Sequence, residues 1–424
     1  MKSKNKQILF IADELYPSMG ANDRIVYRIV DELMRYDDMQ LSVLGAAPRY
    51  DQQVETYREC KQIYEPYWYL TRYRNLNKRL NNWSWLRFII NPRTILYRIA
   101  RSKGNDNPYK WEMVHWLKNH YREFDVIVAM SMPYLNLEVA ASVGDKVPVI
   151  LYPLEPIATY NKHVPNFEQL LDYEIGLETV ASKIVLTSLI HKDFVKERTN
   201  INGHKVVEAE FPCVIQRSQN EVQKFQDKKR RIGLAFVGKF YAETRTPNYL
   251  CHVIDGLSAE DYAMNIVGGL TRGHFDDKIV STYFTNKHPI IHCTGFVHPT
   301  KADEYMSSAD ILVHVGNTQT NLMPSKILDY ISTGKPILNI CKSRECPTLP
   351  LMEKYPLCLN LFEEDGITDA VIARVDSFCR DNAGKQISFE TIKEMYKQYT
   401  PQYVGAVFHK TIMDAINEFN KKTI

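Results

Sequence analysis

Between residues 290 and 340, short apolar runs alternate with helical stretches, and this alternation leaves the chain very few folds to adopt. A strand opens at Ile290, a polar helical stretch covers Pro299–Ala309, and Asp310 to Gly316 reads as a second strand. A helix beginning at Pro324 follows, then a third strand over Pro336–Ile340. Strands and helices in strict alternation imply a parallel sheet, whose ligands bind outside the carboxyl ends of its strands. The helix after Pro324 begins just beyond such an end.

That helix is the most informative local feature. Proline at its first turn needs no N–H partner, and Gly334 stands just past its end. At about 100° per residue, Ile327, Leu328 and Ile331 form one apolar face. Lys326, Asp329, Tyr330 and Thr333 fall on the opposite, polar face. Free N–H groups, the positive end of the helix dipole and Lys326 together make an anion site, with Ser325 in the same first turn. Asp329, one turn further in, reaches a hydroxyl-bearing group attached to that anion. A sugar nucleotide supplies both a diphosphate and a ribose. The competing reading is a surface helix with an i,i+3 ion pair between Lys326 and Asp329.

Three stretches in this region, Gly295-Phe-Val297, Ala309-Asp-Ile-Leu-Val313 and Pro324-Ser-Lys-Ile-Leu-Asp-Tyr-Ile-Ser-Thr-Gly-Lys-Pro-Ile337, resemble the nucleotide-binding half of GT-B-fold glycosyltransferases of the group 1, family 4 type. Upstream, Gly233-Leu-Ala-Phe-Val-Gly-Lys239 is similar to the strand and loop that open that half, and Ala263–Gly269 to its next strand. The resemblance is close over residues 230–345 and loose over the first half. It implies an α/β fold of two Rossmann-like doubly wound domains facing a cleft.

The first half reads as a second alternating set. Strands are expected at Gln7–Ala12, Leu41–Gly45, Phe124–Met130, Val147–Tyr152 and Lys183–Thr187, with one more near Lys205–Ala209. A helix is expected through Arg24–Arg35. These give a first domain over residues 1–213, a polar linker over 214–230 and a second domain over 231–399, which the resemblance implies are the acceptor-side and nucleotide-sugar domains. Residues 400–424 carry a helix expected over Val404–Phe419, which the resemblance sends back to the first domain. With 424 residues, 45% hydrophobic and 24% charged, two sizeable cores are within reach. The eight cysteines show no Cys-x-x-Cys and no zinc spacing with histidine, so no metal is expected and reduced thiols are. The N-terminal apolar run is too short for a signal peptide, and no stretch reaches the ~18 apolar residues of a spanning helix. A cytoplasmic protein is expected, either soluble or peripheral at the inner face of the membrane.

One segment, residues 57–118, breaks the rhythm. From Arg58 to Lys110 there are twelve Lys/Arg against three Asp/Glu, and all five tryptophans, Trp68, Trp83, Trp85, Trp111 and Trp116, fall between residues 68 and 116. Interleaved rings and cations suit a membrane–water interface. They equally suit a helical excursion packed on its own domain, with arginine stems covering apolar surface. Single-stranded nucleic acid would accept the same mixture and is set aside here.

Within the resemblance, Lys239 and Arg245 match the basic pair that faces the donor phosphates, and Phe296-Val297 the backbone that holds the base. Gly20 stands in the loop that approaches the phosphates. Glu155, in Leu154-Glu-Pro156, is a candidate general base or acceptor ligand. Two glutamates eight positions apart frame the motif helix in the family. The second is here Asp329, acidic but one methylene shorter, and the first is Asn321, an amide that cannot act as a base. The implied activity is metal-independent glycosyl transfer, with a nucleotide-sugar donor as substrate and no cofactor. The implied acceptor is a glycan or lipid-linked molecule in cell-surface polysaccharide or glycolipid synthesis. The alternatives are a non-catalytic partner protein of the same fold, favoured by Asn321, and a nucleotide-sugar epimerase.

Overall fold

The structure, a computed structural model, describes residues 5–17, 20–46, 54–64, 108–131, 134–160, 164–198, 201, 203–217, 231–271 and 273–423. It divides into two compact units, one running to Pro212 and resuming at Pro401, the other spanning Cys213–Thr400.

The first unit is built on β1 (Lys6–Glu14), α1 (Ala21–Leu33), β2 (Met39–Ala46), β3 (Thr56–Tyr57) and β4 (Cys60–Tyr64). It continues with α2 (Pro108–His120), β5 (Val126–Met130), α3 (Leu135–Ala141), β6 (Val149–Tyr152), α4 (Ile157–Tyr160), α5 (Phe167–Val180), β7 (Lys183–Leu186), α6 (Ser188–Glu197) and β8 (Val206–Glu208). The strands lie in the order β3-β4-β2-β1-β5-β6-β7-β8, and every pairing is parallel except the β3–β4 hairpin. β5, β6 and β7 are buried along their whole length, as strands covered on both faces must be. Chain order reverses between β1 and β5, so the loops leaving those two strands flank the switch point.

The second unit holds β9 (Ile232–Phe240), α7 (Asn248–Asp255), β10 (Tyr262–Leu270), α8 (Asp277–Tyr283), β11 (Ile291–Gly295), α9 (Pro299–Ser308) and β12 (Ile311–Val315). Then come α10 (Lys326–Thr333), β13 (Ile337–Cys341), α11 (Leu349–Met352), β14 (Cys358–Phe362), α12 (Asp369–Asn382) and α13 (Phe389–Met395). Its sheet is wholly parallel in the order β11-β10-β9-β12-β13-β14. Counted from β9 this is the doubly wound order 3-2-1-4-5-6, and its switch point lies between β9 and β12. Leu234, Phe236, Ile266, Val313 and Ile340 on the strands meet Leu250, Val253 and Val375 on the helices in one core.

The last helix, α14 (Pro401–Thr423), belongs to the first unit and packs on α1. Its close approach needs a glycine, since a Cβ on Gly405 would stand 2.5 Å from Glu32 Cβ. His409 stacks on Tyr36 at 3.9 Å, and Phe408 meets Tyr152 at 5.4 Å.

Residues expected to open the linker are ordered in the second unit. Val214 N–H donates to Tyr399 O at 3.0 Å, and the Ser332 hydroxyl donates to Cys213 O at 3.2 Å. The rest of the expected linker, 218–230, lies outside the described residues. Of the basic aromatic segment, β4 and α2 are described. Trp116 packs against the first unit's core beside Met113 and Leu117, while Trp111 stacks on His115. Trp68, Trp83 and Trp85 lie outside the described residues. Among the described residues no helix is long and apolar enough to cross a membrane.

Candidate functional site

The residues expected to grip a nucleotide gather at the carboxyl ends of β9, β11 and β12. β9 ends Gly238-Lys239-Phe240, and the chain then folds into a tight turn closed by reciprocal bonds between Tyr241 and Arg245, at 2.9 and 3.0 Å. The turn is fastened to the loop after β12 by Thr318 N–H donating to Thr244 O at 2.8 Å. Close backbone approach here is possible because Gly268, at φ +120°, faces Gly238; a Cβ would lie 1.9 Å from Gly238 O.

Arg245 is the informative side chain. Its Nε donates to Asn317 Oδ1 at 3.0 Å, and Asn317 is itself buried. Among the described residues no carboxylate pairs with the guanidinium, and burial pushes its pKa down. His314 on β12 sits close enough to feel this charge. Its Nδ1–H donates to Asn339 Oδ1 at 2.8 Å, which leaves Nε2 as a buried lone pair without a partner among the described residues. Burial first and Arg245 second hold His314 neutral, with its pKa lowered to about 3. Arg245 is thus a partly desolvated cation with no carboxylate partner among the described residues, an arrangement that costs free energy until an anion arrives.

Lys239 is exposed, and its ammonium lies 5.6 Å over the ring of Phe296. Phe296 follows β11 and is 64% exposed, an unusual state for a large aromatic. Val297 beside it is half-buried. This pairing was not foreseen, because nothing in the sequence links positions 57 apart.

The motif helix, α10, begins at Lys326 with Ser325 exposed at its N-cap, and its first turn is closed by the backbone, Ile327 N–H donating to Pro324 O at 3.0 Å and Leu328 N–H to Ser325 O at 3.1 Å. Gly334 ends it at φ +71°, packed so closely that a Cβ would fall 2.1 Å from Ile387 O. The expected polar face requires correction. Tyr330 and Thr333 are buried, because the Tyr330 hydroxyl bonds both N–H and C=O of Val237 on β9 and the Thr333 hydroxyl donates to Tyr330 O. What remains polar is Lys326 and Asp329.

Those two form the i,i+3 pair at 3.2 Å. Asp329 also accepts from Arg217 at 2.6 Å, and Arg217 bridges on to Asp303 of α9 at 2.7 Å. Both oxygens of Asp329 therefore face cations in the unliganded chain. Arg217 had been read as one polar residue in a linker, and no local signal marks it otherwise. Asn321 is half-buried in the loop between β12 and α10.

In the first unit Gly20 caps α1, its N–H donating to Asp23 Oδ2 at 2.9 Å. Its φ of −71° is open to any residue, so conformational freedom is not what the position asks of glycine. Glu155 follows β6, half-buried, and burial raises its pKa. Among the described residues it has no hydrogen-bond or ion-pair partner. No group of three or more metal-ligating side chains occurs among the described residues.

No family model matches the chain, and no curated protein matches it significantly in sequence. Solved structures do match along nearly its whole length. Sucrose-phosphate synthase from Thermosynechococcus elongatus superposes with a TM-score of 0.61 at 12% identity, covering 99% of both chains. Anabaena HepE in complex with UDP gives 0.60 at 12% identity, over 96% of this chain and 99% of that one. The lipopolysaccharide outer core galactosyltransferase WaaB gives 0.53 at 12%, over 96% and 99%. Two doubly wound units, the second with its cations gathered at the switch point, and full-length likeness to these enzymes identify the fold of this chain as GT-B.

Proposed function

We propose that this protein is a glycosyltransferase that takes its sugar from a nucleoside diphosphate donor held by the second unit. The observation that carries this reading is Arg245, a half-buried guanidinium aimed by Asn317 and lacking a carboxylate among the described residues. Such a group answers a ligand phosphate. As the glycosyl bond breaks, the departing diphosphate gains charge, and a preorganised cation in a poorly hydrated site stabilises that charge strongly. Lys239 and the positive end of the α10 dipole add to it, so transfer proceeds without a resident metal. Phe296 offers its exposed face to the base, beside the backbone of Val297. Asp329 takes the ribose hydroxyls after exchanging at least one of its present cations. UDP is the first nucleotide to try, since Anabaena HepE is seen in complex with UDP and with UDP-glucose.

On the acceptor side, Glu155 is the candidate base. A half-buried carboxylate with no partner among the described residues and a raised pKa is poised to take a proton from a hydroxyl. A glycan or lipid-linked acceptor fits the basic aromatic segment, which we read as a peripheral contact with the cytoplasmic membrane face. Asn321 supports a second reading, a non-catalytic partner protein, because an amide replaces the carboxylate of the resembled family. Titration calorimetry with UDP, GDP, ADP, TDP and CMP sugars tests the donor site, and turnover of the bound donor separates the two readings. One donor binding with 1:1 stoichiometry is expected, and no binding by any of them overturns the enzyme reading.

A further inference from the structure

The turn that carries Glu155 is fastened on both sides, while among the described residues nothing holds the Glu155 carboxylate. Upstream, Leu154 N–H donates to the hydroxyl of Ser131, a fully buried residue at the end of β5, at 2.9 Å. Downstream, Pro156 fixes its own φ and offers no N–H. The next two N–H groups, those of Ile157 and Ala158, are both taken by the carboxylate of Glu174. Helices of this kind are ordinarily capped by a Ser, Asp or Asn directly before them. Here a four-residue helix, α4, draws its cap from a wholly buried glutamate 17 positions away.

Glu174 is in turn held rigidly. The Tyr134 hydroxyl donates to its Oε1 at 2.5 Å, and Arg198 donates to its Oε2 at 2.5 Å. Arg198 also reaches Glu178 at 2.8 Å and Glu197 at 3.2 Å, and its guanidinium covers the Phe194 ring at 4.0 Å. One buried cation thus faces two buried carboxylates and a third at the edge. Apolar side chains of the same volume would often hold such an interior equally well or better. What the cluster uniquely provides is an anion, delivered to the two N–H groups that follow Glu155-Pro156.

We propose that Glu174 is a positioning residue for glycosyl transfer: through Ile157 and Ala158 it fixes the turn on which Glu155 meets the acceptor. This assignment rests on the reading of Glu155 as base. In the step it serves, the acceptor O–H breaks and its proton passes to the Glu155 carboxylate. The acceptor oxygen bonds the sugar's anomeric carbon, and the nucleoside diphosphate departs with the electron pair of the broken C–O bond.

The test is a double-mutant cycle between Glu174→Ala and Glu155→Gln in the full-length chain, read by kcat, by donor KM and by UDP affinity. Misplacing a catalytic group by about 1 Å costs about 100-fold. Glu174→Ala is expected to lower kcat by about that factor, with donor KM and UDP affinity within about twofold of wild type. In the Glu155→Gln background it is expected to cost no more than about twofold. Undiminished kcat, or the same loss in both backgrounds, overturns the proposal. Tyr134→Phe, which removes one donor from Glu174 and leaves its charge, serves if Glu174→Ala does not fold, with a loss of about tenfold expected and none contradicting. A readout independent of turnover is the titration of the Glu155 carboxyl by carbon NMR of glutamate-labelled protein, assigned with Glu155→Gln. Its midpoint is expected to fall toward the ordinary glutamate range in Glu174→Ala, and an unchanged midpoint overturns the positioning role. Wild type that turns over no sugar nucleotide defeats the functional reading, and the titration then still decides whether Glu174 governs Glu155.

Discussion

Replacing Arg245 with methionine keeps the packing of the side-chain stem and removes the charge, which isolates what the guanidinium does. In the unliganded protein two effects oppose each other. Losing the Nε–Asn317 bond of 3.0 Å costs about 1.5–3 kcal/mol, the value for a hydrogen bond from a charged group. Removing a partly desolvated cation that has no carboxylate partner among the described residues returns a comparable amount. The stability of the ligand-free variant is therefore expected to stay within about 1 kcal/mol of wild type. Binding has no such compensation. A charge-assisted contact to phosphate is worth about 1.5–3 kcal/mol, which at about 1.4 kcal/mol per decade weakens UDP by roughly 10- to 150-fold. Uridine lacks the phosphates and should bind the variant within about twofold of wild type. Isothermal titration of both ligands into both proteins gives the four constants required. Unchanged UDP affinity, or an equal loss for uridine and UDP, would refute the placement of the diphosphate at Arg245.

Further outcomes follow from the same geometry. Asp329→Asn should weaken uridine and UDP alike, by about 1.5–3 kcal/mol, because both carry the ribose; calorimetry with the two ligands checks it. Gly334→Ala should destabilise the protein by more than about 1 kcal/mol in urea unfolding, since φ is +71° and the new Cβ meets Ile387 O. Gly384→Ala, at φ +79° with nothing within 4 Å, should cost about 1–2 kcal/mol, the strain of the left-handed backbone alone. His314 gives a pH signature. Its pKa is near 3 in the fold and about 6.5 when unfolded, so between those values the unfolded chain binds the additional proton. Its contribution to stability is complete above pH 6.5 and is lost as pH falls toward 3, at up to about 1.4 kcal/mol per pH unit. Unfolding measured at pH 7, 5.5 and 4 should show that slope reduced in His314→Asn.

Periodicity and turn residues made most of the fold legible. The strands expected for the two sheets and the motif helix are found within a few residues of their expected places, because buried parallel strands and helix ends leave local marks, whereas β3, β4 and β14 carry no such mark and were not expected. Pro324 and Gly334 mark α10 in the sequence itself. The errors lie where a long-range bond overrides pattern. Tyr330 and Thr333 read as polar-face residues, yet the backbone of Val237, 93 positions away, satisfies the tyrosine hydroxyl and draws that face inward. The site shows the same division. Lys239 and Arg245 are candidates from their place after a strand and from the resemblance, but Asn317, which accepts from Arg245, and Arg217, which pairs with Asp329, are met only through contacts distant in sequence. Glu174 escaped for the same reason, since a buried glutamate on an ordinary-looking helix gives no sign of the turn it caps.

The central claim is tested most directly by incubating the protein with radiolabelled UDP-glucose and UDP-galactose, then with the other nucleotide sugars, in the presence of lipid extract and of cell-surface glycan. Label in the acceptor fraction and released nucleoside diphosphate are followed together. The account predicts that one donor passes label to one acceptor class in equal molar amount with diphosphate release, and that Arg245→Met and Glu155→Gln both suppress it. Failure of every donor to release diphosphate, in protein that binds one of them 1:1, would contradict it and leave a nucleotide-binding partner protein in its place.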